Sequence, residues 1–181
     1  MKKILRTFIA GIVLLCLLVN DLLAQEPAFP VPTGNPKQLF YLQRTPDANT
    51  VVYEVKYVNN VFDTDDPVHP YWIRYTDNAK VEELTLLQRH FAYGVRTKKT
   101  GPDDYTLEFV AYKDIPIILK KEPSGKFAAY VTLNQKEAIL EKIYLQINGG
   151  SFWSPNVEYA EFTGTDAATG ATLVQRFMIK K

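Results

Sequence analysis

Apolar and polar residues alternate along most of the chain with the period of two that marks a β-strand with one buried face. From Val51 to Tyr57, for example, every second residue is apolar or aromatic, with Glu54 and Lys56 between. Similar stretches recur between short turn sequences, at residues 39–45, 71–76, 95–99, 105–113, 115–121, 127–133, 138–147, 157–163 and 172–179. Strands at this spacing predict a mainly β protein, a single antiparallel β-sandwich or barrel-like domain.

In one stretch the residues fall at helical spacing instead: Leu84, Leu87, Gln88 and Phe91. Asp77-Asn78 offers N-terminal caps before it, and Gly94 is a common helix terminator after it. The pattern predicts one α-helix, at about residues 80–92, packed on or across the sheet. For residues 134–142, a second, short helix is an alternative to the strand interpretation.

The first 24 residues have a different pattern. Three cations are followed by an uncharged apolar run, Phe8 to Val19, and then by Leu22-Leu23-Ala24. The run is shorter than the roughly 20 apolar residues of a membrane helix, so residues 1–24 are predicted to be a signal peptide. An uncleaved N-terminal anchor is the alternative. Cys16 does not follow a small residue, which argues against a lipidated cysteine.

Residues 25–37 contain four prolines and one glycine and predict an extended leader, which leaves residues 38–181 as a single β-rich domain. Removing residues 1–24 takes away three bases and one acid, so the net charge changes from +1 to −1. It also removes the one cysteine, and with it disulfides, thiol nucleophiles and cysteine metal ligands. The size is ample for a core without disulfides.

Few residues of the remaining chain support catalysis, and no catalytic residue, metal ligand or cofactor is assigned. Its three serines, Ser124, Ser151 and Ser154, lie in predicted turns or loops and outside any G-x-S-x-G motif. Acidic residues in the loop before His69 lack the spacing of a calcium-binding loop and are interpreted as solvated. Lysine pairs are dispersed in a nearly neutral chain, which argues against nucleic-acid binding.

Two clusters of aromatic and cationic residues carry the most information. Arginine suits carboxylate recognition and stacking on aromatic rings, and three of the five arginines after residue 24 lie in these clusters. Trp72 and Arg74 share a predicted strand face, so a groove lined by both is a candidate site. The candidate ligand-binding residues are Arg44, Asn49, Tyr53, His69, Trp72, Arg74, Arg89 and Tyr93. The alternative is an internal network of arginines with Glu54 or Glu83.

The same stretches carry a family resemblance. Residues 39–46 with Asn49 and Tyr53-Glu54, residues 72–75, and Gln88-Arg89 with Ala92-Tyr93-Gly94 resemble a family of exported bacterial proteins known only as a domain of unknown function. The resemblance covers roughly residues 37–179. It implies a Gram-negative bacterial source and brings no activity, cofactor or site residue.

These observations favour a non-enzymatic exported protein of the periplasm or cell envelope, or a secreted one, with no membrane span after signal cleavage. Its expected partner is a small molecule, a peptide, a glycan or an envelope protein. One alternative is a small envelope hydrolase that uses a carboxylate pair or His69. Another is a structural or assembly protein that pairs through a sheet edge.

Overall fold

Eleven strands form one curled sheet with the shape of a half-barrel. The computed structural model describes residues 29–151 and 154–179, with 56% of the residues in strands. The predicted signal peptide and residues 25–28 of the leader lie outside the described residues. The strands are β1 (Gln38–Arg44), β2 (Thr50–Val55), β5 (Val68–Arg74), β6 (Lys80–Glu83), β7 (Val95–Lys99), β8 (Tyr105–Phe109), β9 (Ile117–Lys121), β10 (Phe127–Leu133), β11 (Lys136–Gly150), β12 (Pro155–Asp166) and β13 (Thr172–Met178), and a separate hairpin has β3 (Tyr57–Val58) and β4 (Val61–Phe62). The prediction of a mainly β domain is confirmed.

β11 joins two wings of the sheet. Residues 136–139 of β11 pair with β10, residues 142–145 pair with β1 in parallel, and residues 138–150 pair with β12. Since a strand has two edges, β10 and β1 follow one another along the same edge of β11. One wing has the order β6-β5-β2-β1, the other has the order β10-β9-β8-β7, and β13 extends the sheet beyond β12. The strand interpretation of residues 138–147 is therefore confirmed, and their helical alternative is not found.

The two wings curl toward each other, and their facing side chains form the core. We call this side the inner face, and the opposite side of β1, β2, β5 and β6 the outer face. Phe40 on β1 stacks on Tyr53 of β2 at 4.6 Å between ring centroids. Phe109 of β8, in the other wing, meets the Tyr53 ring edge-on at 5.5 Å. These contacts place residues at the inner face that are separated widely along the chain.

The hairpin of β3 and β4 packs against the second wing. Its turn is Asn59-Asn60, both with positive φ, which is the backbone that a two-residue hairpin turn requires. Phe62 stacks on Phe127 with 4.2 Å between centroids and meets Tyr105 edge-on. Residues 59–67, expected to be a polar loop, therefore begin as part of a hairpin that covers the core.

The helix is shorter than predicted. Residues 80–83 form β6, which pairs with β5 and places Glu83 opposite Tyr71. The chain reverses before β6 at Asn78-Ala79, both with positive φ. Asn78 is the C-cap of a short 3-10 helix, Tyr75–Asp77, and not the N-cap of the α-helix. The one α-helix of the described residues, α1, spans Leu86–Phe91. Within those residues, no helix has the length and apolar character needed to cross a membrane.

Candidate functional site

Trp72 lies at the centre of a cluster on the inner face of the first wing. It is almost fully buried, and the Tyr93 ring meets it edge-on with 4.9 Å between centroids. The Arg44 guanidinium lies over the indole ring, 5.9 Å from its centroid. The indole Nε1 donates a hydrogen bond to Gln88 Oε1 of α1 at 3.4 Å. The predicted proximity of an arginine and Trp72 is thus present, and the helix supplies one side of the cluster.

Arg44 and Arg74 lie at the same end of the inner face. Leu42, Val51 and Trp72 are neighbours across β1, β2 and β5, and each arginine is two residues beyond its member of that row. Arg44 is 3.9 Å from Asp47, and Arg74 is 3.3 Å from Glu82. The Nε atom of each arginine is buried and has no hydrogen-bond partner among the described residues. Two guanidinium groups therefore keep an unused donor beside Trp72.

An apolar cavity of about 140 Å³ lies next to this cluster. Its walls come from β1, β11, β12, the end of α1 and the segment after β8. The lining residues are Leu42, Ala92, Tyr93, Phe109, Ala111, Tyr112, Ile143, Leu145, Val157, Ala160, Phe162 and Ile179. Sequence reasoning missed most of these residues, because they belong to strands that are distant along the chain.

Arg44 lies beside the cavity lining without being part of it. It is the cross-strand partner of Leu145, which lines the cavity. Burial raises the pKa of the Tyr93 hydroxyl, and the positive charge of the neighbouring Arg44 opposes that increase. The cavity thus has apolar walls and one guanidinium beside them, a combination that suits an apolar molecule with an anionic group.

Tyr53 and Gly94 hold Tyr93 in place. The Tyr53 side chain is fully buried, and its hydroxyl donates a hydrogen bond to the Tyr93 carbonyl oxygen at 2.8 Å. A Cβ atom on Gly94 would lie 1.8 Å from the Arg89 carbonyl oxygen, so only glycine allows this close turn after α1. Tyr53, a candidate ligand contact from sequence, therefore lies behind the site and supports Tyr93.

Asn49 also has a supporting position. It is buried, and its side-chain oxygen accepts hydrogen bonds from the Thr76 amide and hydroxyl at 3.1 and 2.9 Å. The backbone amide of Asn49 donates a hydrogen bond to Asp47 Oδ1 at 2.9 Å. These bonds join the turn that carries Asp47 to the end of β5, and so they fix the acid that faces Arg44.

His69 and Arg89 contact a different group of residues, on the outer face. Glu54 Oε1 lies 3.2 Å from His69 Nδ1, and Glu83 lies 2.9 Å from His69 Nε2. Arg89 donates to the same Glu83 at 3.3 Å, and Asn35 donates to Glu54 at 2.6 Å. The eight predicted residues therefore divide: Arg44, Trp72, Arg74 and Tyr93 meet on the inner face, and His69 and Arg89 do not join them.

The acidic loop before His69 forms ion pairs within the protein. Lys56 Nζ lies 3.0 Å from Asp63 and 2.7 Å from Asp66. The hydrogen bond from Lys56 lowers the pKa of Asp63, and the two carboxylates raise the pKa of Lys56. Across residues 29–151 and 154–179, no group of three or more His, Cys, Asp or Glu side chains is arranged to hold a metal ion.

Comparison with known proteins gives the chain a family. No curated protein and no solved structure matches it. The model of a family described as a domain of unknown function, DUF4833, matches residues 40–176, which include both wings, α1 and the Trp72 cluster. The chain therefore belongs to the DUF4833 family.

Proposed function

We propose that this protein is a non-enzymatic binding protein for a small molecule with an apolar body and an anionic group. The apolar body occupies the cavity on the inner face, and the anionic group accepts hydrogen bonds from Arg44. The observation that carries the proposal is the buried Nε of Arg44, which has no hydrogen-bond partner among the described residues and belongs to the strand neighbour of Leu145 in the cavity wall. A buried donor without a partner costs roughly 1–3 kcal/mol, which an anionic acceptor would recover.

The cavity volume sets the size of the apolar body. A cavity of about 140 Å³ is close in volume to an apolar protein cavity of about 150 Å³ that holds benzene. A body of about six non-hydrogen atoms is therefore expected to fit without movement of the walls. Arg74 has the same unused donor and lies at the same end of the inner face, so it adds positive charge near the anionic group.

The proposal includes export. The signal-peptide pattern predicted for residues 1–24 supports a location in the periplasm or the cell envelope, or outside the cell. The hydrolase alternative stays a hypothesis without a supporting observation in the fold. Both ring nitrogens of His69 contact carboxylates, and the residue lies on the face opposite the cavity.

The test uses benzoate and its neutral counterpart benzyl alcohol as probes. Binding is followed by calorimetry and by the fluorescence of Trp72 in a Trp153→Phe background, which leaves one tryptophan. We expect benzoate to bind about 10- to 100-fold more tightly than benzyl alcohol, because a hydrogen bond to a charged group contributes about 1.5–3 kcal/mol. Arg44→Gln should abolish that difference and leave the binding of benzyl alcohol unchanged.

Arg89→Gln is the matched control, since Arg89 also has one carboxylate partner but lies on the outer face. It should bind both probes as the parent protein does. Ala111→Leu, at an exposed part of the cavity lining, should weaken both probes. The proposal is rejected if neither probe binds at millimolar concentration, or if Arg44→Gln and Arg89→Gln have equal effects on benzoate.

A further inference from the structure

The helix α1 is oriented with its apolar side toward solvent. Leu86, Leu87 and Phe91 are 75%, 52% and 69% exposed, and α1 has no buried residue. At 100° per residue, these three side chains and His90 lie within an arc of about 140°. Leu87 and Phe91, two of the residues whose spacing indicated the helix, therefore face solvent.

Polar side chains attach α1 to the sheet. Gln88 accepts a hydrogen bond from Trp72, and Arg89 pairs with Glu83 of β6. A capping box fixes the first turn, because Thr85 Oγ1 accepts from the Gln88 amide and Gln88 Oε1 accepts from the Thr85 amide. The exposed apolar arc is thus presented by a short helix that is held at its start and along its inner side.

The segment that contains α1 is also strongly basic. Between Leu84 and Pro102 there are four Arg or Lys residues and no Asp or Glu, in a chain whose net charge is +1. Arg96 and Lys98 are exposed on one face of β7, where Glu108 of β8 is the cross-strand partner of Arg96, and Lys99 lies on the other face. Arg96 follows Phe91 by five residues, which limits their separation to about 18 Å. Exposed Leu and Phe side chains with nearby cations are the pattern of an element that binds an anionic lipid surface.

We propose that α1 and β7 dock this protein on an anionic lipid bilayer, with Leu86, Leu87 and Phe91 inserted at the interface and Arg96 and Lys98 of β7 facing the headgroups. A second copy of the chain is a poorer occupant, since an isologous contact would bring two basic segments together. Ala92 and Tyr93, directly after Phe91, line the cavity. Docking through α1 therefore brings the cavity close to the bilayer, although the proposal does not depend on the cavity being a binding site.

The test places an environment-sensitive dye on α1 of the full chain. Cys16→Ser removes the one native cysteine, and Leu87→Cys then gives a single labelling position. The matched control is Val174→Cys on β13, which is 47% exposed compared with 52% for Leu87. Both proteins have the same residues 8–19, so any lipid affinity of that apolar run affects them equally.

The vesicles are phosphatidylcholine with about 30% phosphatidylglycerol, or phosphatidylcholine alone, with a quencher attached to the acyl chains. We expect the dye at position 87 to be quenched at least about fivefold more than the dye at position 174, and only with the anionic vesicles. Arg96→Gln with Lys98→Glu should weaken binding about tenfold or more, because each cation near an anionic surface contributes about fivefold. Leu86→Ser with Phe91→Ser should abolish the quenching at position 87, and since both side chains are exposed, the unfolding midpoint should not change.

Four results would overturn the proposal: equal quenching at positions 87 and 174, equal quenching with neutral vesicles, no quenching at either position, or no loss of quenching in the Leu86→Ser, Phe91→Ser protein. A dye response that rises with protein concentration without lipid would assign the face to a second copy. A response to soluble poly-glutamate and not to vesicles would assign it to an acidic protein surface.

Discussion

At the scale of one residue, two buried tyrosines differ in whether their hydroxyl groups form a hydrogen bond. Tyr53 and Tyr105 are both almost fully buried in the core. The Tyr53 hydroxyl donates to the Tyr93 carbonyl oxygen, whereas the Tyr105 hydroxyl has no partner among the described residues. One hydroxyl therefore stabilises the fold and positions a wall of the cavity, and the other carries an uncompensated desolvation cost.

This contrast predicts opposite effects for the same change. Tyr53→Phe should lower the free energy of unfolding by about 1 kcal/mol, since it removes a net favourable hydrogen bond to the Tyr93 carbonyl oxygen. Tyr105→Phe should leave the free energy of unfolding unchanged or raise it by up to about 1 kcal/mol. Urea unfolding of both variants measures the difference, and a larger loss for Tyr105→Phe than for Tyr53→Phe would contradict it.

Side-chain type and strand face were enough to predict part of the site. Trp72 and Arg74 share the inner face, as the alternation of residues on β5 predicts, and Arg44 lies on the same face. His69 was grouped with them by proximity along the chain, yet it lies on the opposite face of β5. The sequence could not show that its two ring nitrogens face carboxylates, because one of these carboxylates comes from β6, in residues expected to be helical.

At the scale of the element, α1 shows which sequence signal marks the start of a helix. Thr85 followed by Gln88 is a capping-box pair, and it marks the true start of the helix. Asp77-Asn78 looked like a cap because Asn serves both as a helix cap and as a residue that tolerates positive φ. In the fold Asn78 has positive φ and ends the 3-10 helix Tyr75–Asp77, so it is not the N-cap of α1. The boundaries of most strands were predicted within a few residues, because alternation and turn residues agreed there.

The turn between β12 and β13 gives a pH-dependent prediction at the same scale. Asp166 is buried, and hydrogen bonds from the Ala168 amide and Lys136 lower its pKa from 3.8 to about 2. A carboxyl with a lowered pKa in the folded state stabilises the fold above about pH 4, and this contribution is lost as the pH falls toward 2. Stability should therefore decrease across that interval.

Asp166→Asn tests this assignment because it keeps an acceptor oxygen for the amides and removes the charge. Urea unfolding near pH 5 and near pH 2 should give a larger decrease for the parent protein than for Asp166→Asn. Equal decreases in the two proteins would mean that other carboxyl groups account for the acid sensitivity.

At the scale of the whole molecule, the shared edge of β11 was beyond sequence reasoning. Alternation along residues 138–147 identifies a strand and its faces, but it carries no information about which strands lie beside it. The parallel contact of β1 with β11 joins the two wings and brings Leu42 of β1 beside Ile143 of β11 in the cavity wall. This is why the arginines could be found from the sequence and the apolar walls could not.

The junction predicts that the two wings unfold together. Thr45 extends the contact of β1 with β11, because its hydroxyl donates to the Ile147 carbonyl oxygen at 3.0 Å and accepts from the Ile147 amide at 2.7 Å. Thr45→Val should lower the free energy of unfolding by about 1–3 kcal/mol. Hydrogen exchange should show lower protection in β2 and also in β9, whereas Thr132→Val, at an exposed position of β10, should change neither. A loss of protection confined to β2 would mean that the wings are independent.

The same junction constrains the order in which the chain can fold during synthesis. Thr45 and Ile147 are 102 residues apart, so β1 has no partner on its second edge until most of the chain has left the ribosome. Long-range pairing of this kind is slow to form, and an open strand edge is prone to aggregate meanwhile. The edge of β1 in the first wing therefore stays unpaired until β11, which is synthesised late in translation, is available. A chaperone that covers β1 during that interval is expected to raise the yield of folded protein.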